Sequence, residues 1–221
     1  MTVSRVLRLQ PANLAFGSAD PKLIQINLVF LTDTVPFRRV EPGKTCPGET
    51  NMFEQDFTDA IAMLKADHRK VEQLFAAFAE AKGASRKEKL AGEICTELKI
   101  HTMLEEEIFY PAFEGKIEQD KIDEALVEHD AAKILINDIE AAEPDEAFYD
   151  AKVKVLGEEI EHHAKEEERP KDGVFALCRA TDVDLVELRD RMLARKEQLV
   201  AQAEREGLPP AKVSTVDLSP A

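Results

Sequence analysis

The sequence predicts an all-α fold: an up-down-up-down four-helix bundle with an extra C-terminal helix and a poorly ordered N-terminal extension. Between residues 57 and 170, apolar residues recur three and four positions apart in four successive stretches, the spacing of helix faces that pack together. Glycine and proline separate the stretches by short connections, as in a simple bundle. Residues 23–30 have the composition of a strand, but no second stretch offers a partner strand.

The first 52 residues form the predicted N-terminal extension. Residues 1–50 hold six of the 29 basic and four of the 44 acidic residues, and none of the five histidines. The bundle is expected to occupy residues 53–172, because the helical pattern and nearly all of the acidic residues begin there. We expect a C-terminal amphipathic helix region over residues 173–207 and a disordered tail over residues 208–221, which contains three prolines.

The first predicted helix begins near Phe57 and ends before Gly83. Its apolar seam consists of Phe57, Ile61, Leu64, His68, Val71, Phe75 and Phe78. Ser85 and Glu88 have the spacing of a capping box at the start of the second helix, which is expected to end around Pro111. The second seam consists of Ile94, Leu98, His101, Glu105 and Ile108.

The third helix is predicted from about Asp120 to Ala142, and Pro144 and Asp145 start a fourth that ends at Pro170. The third seam consists of Ile122, Leu126, His129, Lys133 and Ile136. The fourth consists of Val153, Leu156, Ile160, His163 and Glu167. A fifth amphipathic helix, about Val183 to Glu204, either packs on the bundle or offers a surface for a protein partner.

The charge and cysteine content exclude several classes of function. The formal net charge of −15 argues against nucleic acid and anionic membranes as partners. The longest apolar run is too short to span a bilayer, and no secretory signal is recognisable. Three scattered cysteines fit a reducing compartment, so we expect a cytoplasmic protein.

Each seam of the four bundle helices contains one histidine, and two seams add a glutamate four residues later. These six candidate metal ligands are His68, His101, Glu105, His129, His163 and Glu167. Imidazole and carboxylate groups are costly in an apolar seam unless something compensates them, and a transition-metal ion would do so. A single seam histidine is more often a hydrogen-bonded core residue, but four in four successive helices favour the metal. The adjacent His162 keeps the choice within the His162-His163 pair open.

An ordered series of motifs resembles a known family. The motifs are Asp67-His68-Arg69, His101-xxx-Glu105 with Glu106-Glu107-Ile108-Phe109-Tyr110-Pro111, Val127-Glu128-His129-Asp130, and His162-His163-Ala164-Lys165-Glu166-Glu167-Glu168. Over about residues 57–170 the chain resembles the hemerythrin-like HHE cation-binding family, whose members are four-helix bundles with a non-haem di-iron centre.

The resemblance implies two iron ions joined by an oxo or hydroxo bridge. It assigns His68 and His101 to one iron and His129 and His163 to the other. Glu105 and Glu167 would bridge the two ions. Oxygen-carrying members have a second histidine where this chain has Lys133, so the second iron would have fewer protein ligands.

Three functions remain open at this stage. The favoured one is a di-iron protein, without assigned catalytic residues, that binds or senses dioxygen, nitric oxide or iron. The second is a di-iron peroxidase or oxidase that acts on peroxide. The third is a metal-free helical interaction module that uses the fifth helix.

Overall fold

The computed structural model describes residues 57–216, and every regular element within that range is helical. The four long helices that form the bundle are α1 (Ala60–Glu80), α2 (Ala84–Leu104), α3 (Gln119–Glu140) and α4 (Tyr149–Glu167). They are followed by the short helix α5 (Val174–Arg179) and the long helix α6 (Leu185–Glu206). The predicted all-α class is confirmed. The N-terminal extension and the last five residues of the predicted tail lie outside the described residues.

The four bundle helices pack mainly on neighbours in the chain: α1 on α2, α2 on α3 and α3 on α4, while α4 also contacts α1. Two apolar clusters fill the interior, and α1, α2 and α3 each contribute to both. In α1 and α3 the residues of one cluster precede those of the other along the helix, whereas in α2 the sequence order of the two clusters is the opposite. Antiparallel neighbours would produce this alternation, and the complete up-down-up-down order stays a prediction.

The second helix departs from α-helical geometry at the metal-ligand motif. Residues Glu105–Phe109 form a π-helical segment, in which the amide of Tyr110 donates to the carbonyl of Glu105, before a last α-helical turn, Tyr110–Phe113. A π turn accommodates one extra residue, so the buried face shifts by one position. Phe109 is therefore fully buried, while Ile108, the predicted seam residue, is only half-buried.

Two predicted helix ends are also corrected. Helix α2 begins at Ala84 directly after Gly83, whose φ of 85° favours glycine. Ser85 therefore lies inside the helix, and no side chain of the described residues caps its N-terminus. Pro111 does not end the second helix, because it lies in the first turn after the π segment, where its missing N–H costs little.

The chain beyond α4 turns back onto the bundle. Gly173 passes so close to the end of α4 that a Cβ atom would lie 2.5 Å from the carbonyl oxygen of Glu167. Helix α6 packs on α1 and α2 through its buried residues Leu188, Met192 and Leu199. None of the helices in residues 57–216 is long and apolar enough to cross a bilayer.

Residues 208–216 form a non-helical C-terminal strap that is hydrogen-bonded to the bundle. The prediction of a disordered tail from residue 208 is therefore wrong for this segment. Its backbone groups find partners in the side chains of Lys99, Asn137 and Asp130, which the proline content did not reveal.

Candidate metal centre

The structure brings all six predicted metal ligands together in the middle of the bundle. Each of the four long helices supplies a buried histidine, and the ends of α2 and α4 supply the two buried glutamates. The candidate ligand atoms of His68, His101, Glu105 and Glu167 all lie within 4.8 Å of one another. Those of Glu105, His129 and His163 form a second such group. The group of four is the first half of the centre, and the group of three is the second half.

In each half, two imidazoles point the same nitrogen inward. The Nε2 atoms of His68 and His101 lie 3.2 Å apart. Those of His129 and His163 are also 3.2 Å apart. Both pairs of rings have centroids 4.8 Å apart and planes inclined at 60°. The two pairs are therefore arranged alike.

Each buried glutamate lies between one histidine of the first half and one of the second. Oε2 of Glu105 is 3.2 Å from Nε2 of His101 and 3.2 Å from Nε2 of His129. Oε2 of Glu167 is 3.4 Å from Nε2 of His68 and 3.5 Å from Nε2 of His163. This is the placement that two carboxylates bridging two cations would need.

The glutamates are buried without adequate hydrogen bonding. Glu105 is 0% exposed, Glu167 is 1% exposed, and three of their four carboxylate oxygens accept no hydrogen bond from any of residues 57–216. A buried carboxylate without partners is strongly unfavourable, so the site is suited to a positive charge. Imidazole and carboxylate donors together suit iron and other first-row transition metals. The residues present therefore fit a metal ion.

Four outer carboxylates face the other nitrogens of the imidazoles. Nδ1 of His68 donates to Glu168 at 2.8 Å. Nδ1 of His129 donates to Glu106 at 2.9 Å, and Nδ1 of His163 to Glu128 at 2.8 Å. The fourth contact is longer, since Nδ1 of His101 lies 3.9 Å from Asp67. Such contacts fix the ring orientation and leave Nε2 free to bind a metal.

A layer of basic side chains lies outside the carboxylates. Asp67 pairs with Lys196 of α6, Glu168 with Arg69, and Glu106 with Lys133. Glu128 lies 3.6 Å from the imidazole of His162. Every histidine of the centre is thus backed first by a carboxylate and then by a basic group.

The pKa values follow from these neighbours. Burial alone would lower the pKa of His101, but the carboxylates of Glu105 and Asp67 raise it to about 10. Burial likewise opposes protonation of His129, while Glu105 and Glu106 raise its pKa to about 9. Burial would raise the pKa of Glu105, yet His101 and His129 hold it well below its usual range. Without metal, protons on His101 and His129 supply positive charge beside the Glu105 carboxylate.

Two aromatic residues complete the surroundings. The hydroxyl of Tyr110 donates to Oε1 of Glu167 at 2.9 Å, and burial together with Glu105 and Glu167 holds its pKa well above the usual value. The ring of Phe175 on α5 stacks on His68, with centroids 5.8 Å apart and planes inclined at 18°. The phenol therefore stays protonated, and the short helix covers one side of the centre.

The structure shows where His162, His163 and Lys133 lie. His163 is buried in the centre, whereas His162 is exposed at its surface, with 66% of its side chain accessible. Lys133 is buried, and its ammonium group contacts Glu106 and Asp130. It therefore neither extends to solvent nor lies against the inward nitrogens.

A small cavity lies beside the imidazoles. Its volume is about 10 Å³, room for about one water molecule, and its apolar wall includes Val71, Leu98 and Ile160. Ile160 also lines a groove on the surface between α1 and α4. Only a very small molecule would fit without movement of side chains.

The sequence analysis missed the outer carboxylates, Tyr110 and Phe175. A signal for the carboxylates was present, since each is the chain neighbour of a candidate ligand. These residues are Asp67 before His68, Glu106 after Glu105, Glu128 before His129 and Glu168 after Glu167. Each contacts the histidine of another helix, which requires knowledge of helix packing.

A protein family matches the part of the chain that forms the bundle. The family described as the hemerythrin HHE cation binding domain matches residues 59–170, a range that includes all six candidate ligands. A comparison with curated proteins found no match.

The fold is similar to that of a solved hemerythrin HHE cation binding domain-containing protein from Mycobacterium kansasii. The two chains are 24% identical, and the TM-score is 0.56. The match covers 68% of this chain and 94% of the other. This likeness concerns the fold alone.

Proposed function

Because the chain belongs to the hemerythrin HHE cation binding domain family, as its match over residues 59–170 shows, we propose that it is a non-haem di-iron protein. Its proposed role is to bind or sense dioxygen, nitric oxide or iron. The observation that carries the proposal is the pair of buried glutamates, each lying 3.2–3.5 Å from an inward nitrogen of both halves.

The proposed ligands of the first iron are His68 and His101, and those of the second are His129 and His163. Glu105 and Glu167 would contribute their carboxylates to both ions. When bound, such a pair of ions supplies reversible electron transfer and a coordination position for a small molecule. Glu167 lies outside the group of three closely spaced ligand atoms in the second half, so that half is the proposed position for the molecule.

The protein itself contributes geometry and protection from solvent. Three outer carboxylates hold a proton on the Nδ1 atoms of His68, His129 and His163 and thereby direct the lone pair of Nε2 inward. Phe175 and the apolar side chains around the small cavity keep bulk water away from the imidazoles. The cavity size favours a diatomic molecule or peroxide over a larger substrate. A cytoplasmic location is part of the proposal and rests on the three scattered cysteines.

Metal content provides the direct test. Protein purified without air and loaded with ferrous iron should contain two irons per chain, and oxo-bridge charge-transfer bands should appear in its visible spectrum on exposure to air. The double variant His68→Leu, His101→Leu should lose iron and the stability that binding confers. His162→Leu is the matched control and should retain both ions. A wild-type chain that takes up no iron contradicts the proposal and favours a metal-free helical module.

A peroxidase is the second candidate, and Tyr110 is the observation that favours it. Its buried phenol donates a hydrogen bond to a proposed bridging ligand and thus lies close to the position of the metals. Rapid consumption of peroxide by the iron-loaded protein, lost in Glu167→Ala and retained in the exposed control Glu161→Ala, would favour the enzyme over the sensor. Slow consumption in all three proteins would leave the binding role.

A further inference from the structure

The C-terminal strap, residues 208–216, is attached to the bundle at three points. Its first residue, Leu208, accepts a hydrogen bond from Lys99 through its carbonyl at 3.2 Å. The backbone of Ala211 makes two hydrogen bonds with the side-chain amide of Asn137, at 2.8 and 2.7 Å. The third attachment is to Asp130, the residue that follows a proposed metal ligand. The strap therefore runs along α3 towards the second half of the centre.

At the third attachment, the strap saturates one oxygen of a buried carboxylate. Oδ2 of Asp130 accepts hydrogen bonds from the amide of Ser214 at 2.8 Å and from the hydroxyl of Thr215 at 2.7 Å. The amides of Thr215 and Val216 also donate to it. The other oxygen, Oδ1, is left for the ammonium group of Lys133 at 3.1 Å. Docking of the strap thus fixes the orientation of the Asp130 carboxylate relative to Lys133.

Lys133 connects Asp130 to the interior of the bundle. Its ammonium group lies 2.6 and 2.9 Å from the two oxygens of Glu106. Oε1 of Glu106 in turn accepts from Nδ1 of His129 at 2.9 Å. A continuous polar chain therefore joins the strap to a proposed ligand of the second half. Glu106 and Asp130 together compensate the buried ammonium group of Lys133. Loss of its contact with Asp130 would therefore disturb its contact with Glu106.

We propose that Lys133 is a positioning residue for His129 and that the C-terminal strap is the clamp that holds Lys133 in place. The inference rests on the proposed metal-binding function and adds to it a coupling between strap docking and metal retention in the second half. By linkage, a strap that strengthens metal binding must itself be held more tightly when the metal is bound.

The coupling is specific for one half of the centre. The outer carboxylates of the first half pair with Arg69 of α1 and Lys196 of α6, and neither contacts residues 208–216. The strap residues form hydrogen bonds with side chains of α2 and α3, and only the contact with Asp130 leads to a proposed ligand. Removal of the strap should therefore affect one metal ion and leave the other unchanged.

The test compares two shortened chains loaded with Co²⁺, an ion whose visible bands report its coordination. The chain that ends at Gly207 lacks the strap, and the chain that ends at Val216 keeps it. In the first, one equivalent of Co²⁺ should be released to a chelator about tenfold faster than in the full chain, the usual effect of losing an outer-layer contact. The second equivalent, and both equivalents in the chain that ends at Val216, should be released at the rate of the full chain.

Substitutions in the full-length chain test the same link without a truncation. Lys133→Met should accelerate release of the same equivalent and shift its visible bands, and Lys133→Arg should restore both. In the unsubstituted chain, Co²⁺ should slow hydrogen exchange at the amides of Ser214, Thr215 and Val216 by a similar factor, which a merely structural strap would not show.

The outcomes separate this inference from the proposed function. A full chain that binds two Co²⁺ ions, with equal release from the chain that ends at Gly207, overturns the clamp and leaves the metal centre intact. A full chain that binds no Co²⁺ removes the proposed function, and the coupling falls with it.

Discussion

The two halves of the candidate metal centre use the same residue types but hold them differently. In the second half, both imidazoles are hydrogen-bonded to outer carboxylates, His129 at 2.9 Å and His163 at 2.8 Å. In the first half, His68 has such a bond, whereas His101 lies 3.9 Å from Asp67 and its Nδ1 has no hydrogen-bond partner among residues 57–216. Inward, the order is reversed, since four candidate ligand atoms lie within 4.8 Å of one another in the first half, whereas Glu167 lies outside the corresponding group of three in the second.

The difference indicates a division of tasks within one site. A half with more closely spaced donors should bind its metal ion more tightly. A half with less closely spaced donors but firmly oriented imidazoles leaves room for an exogenous ligand without losing its geometry. We therefore expect the second half to be the more labile and the more reactive.

The largest expected effect on metal binding comes from substitution of Glu105, which lies between the two halves. Glu105→Gln keeps the size of the side chain but removes the charge that lies 3.2 Å from an imidazole of each half. Both metal ions should be lost, which metal analysis of the purified protein would measure. Glu107→Gln, an exposed neighbour that pairs with Arg195, is the control and should bind as the unsubstituted chain does. Retention of a tightly bound ion by Glu105→Gln would show that the halves are independent.

Substitutions of the outer carboxylates should have intermediate effects on metal affinity, and these effects should differ between the two halves. Glu128→Gln replaces the carboxylate 2.8 Å from His163, and we expect affinity for one of the two metal ions to fall about 10- to 100-fold. Asp67→Asn changes a contact of 3.9 Å, so its effect on affinity should be several times smaller. Competition with a chelator of known affinity measures both. Equal losses of affinity would mean that Asp67 and His101 come closer when metal binds. The difference between the halves would then exist only in the metal-free protein.

The smallest effect on metal binding is expected from Tyr110→Phe. The variant keeps the buried ring but removes the hydrogen bond to Glu167, so metal content should be unchanged and the visible bands slightly shifted. The metal-free protein should lose about 1.5–3 kcal/mol of its free energy of unfolding, the range for a hydrogen bond to a charged group. Urea denaturation measures this loss. Unchanged stability and an unchanged spectrum together would remove any role for the phenol.

Much of the bundle and its centre follows from the sequence alone. Spacings of three and four residues place His68 and Val71 on one helix face, and the same rule puts His101 beside Glu105 and His163 beside Glu167. The rule works because the side chains of a regular helix have fixed directions, and apolar neighbours show which face is buried. The predicted convergence of six ligands needed no more than this and the assumption of a bundle.

The parts that sequence reasoning missed depend on contacts between helices or on irregular backbone. Spacing put Lys133 in the third seam, but only packing shows that Glu106 and Asp130 neutralise it there. Helix α5 is too short for its periodicity to be recognised. The strap has no periodicity at all, and side-chain partners on α2 and α3 fix its path.

The π turn at Glu105–Phe109 has a consequence for how this helix can change in evolution. Loss of one residue there would restore a regular α-helix and leave the later side chains on their present face, because the π turn already accommodates the extra residue. A change to a regular α-helix without such a deletion would instead rotate every later side chain by about 100°. Tyr110 would then turn away from Glu167, and Phe109 would leave the core. The helix type and the number of residues in this segment can therefore change only together.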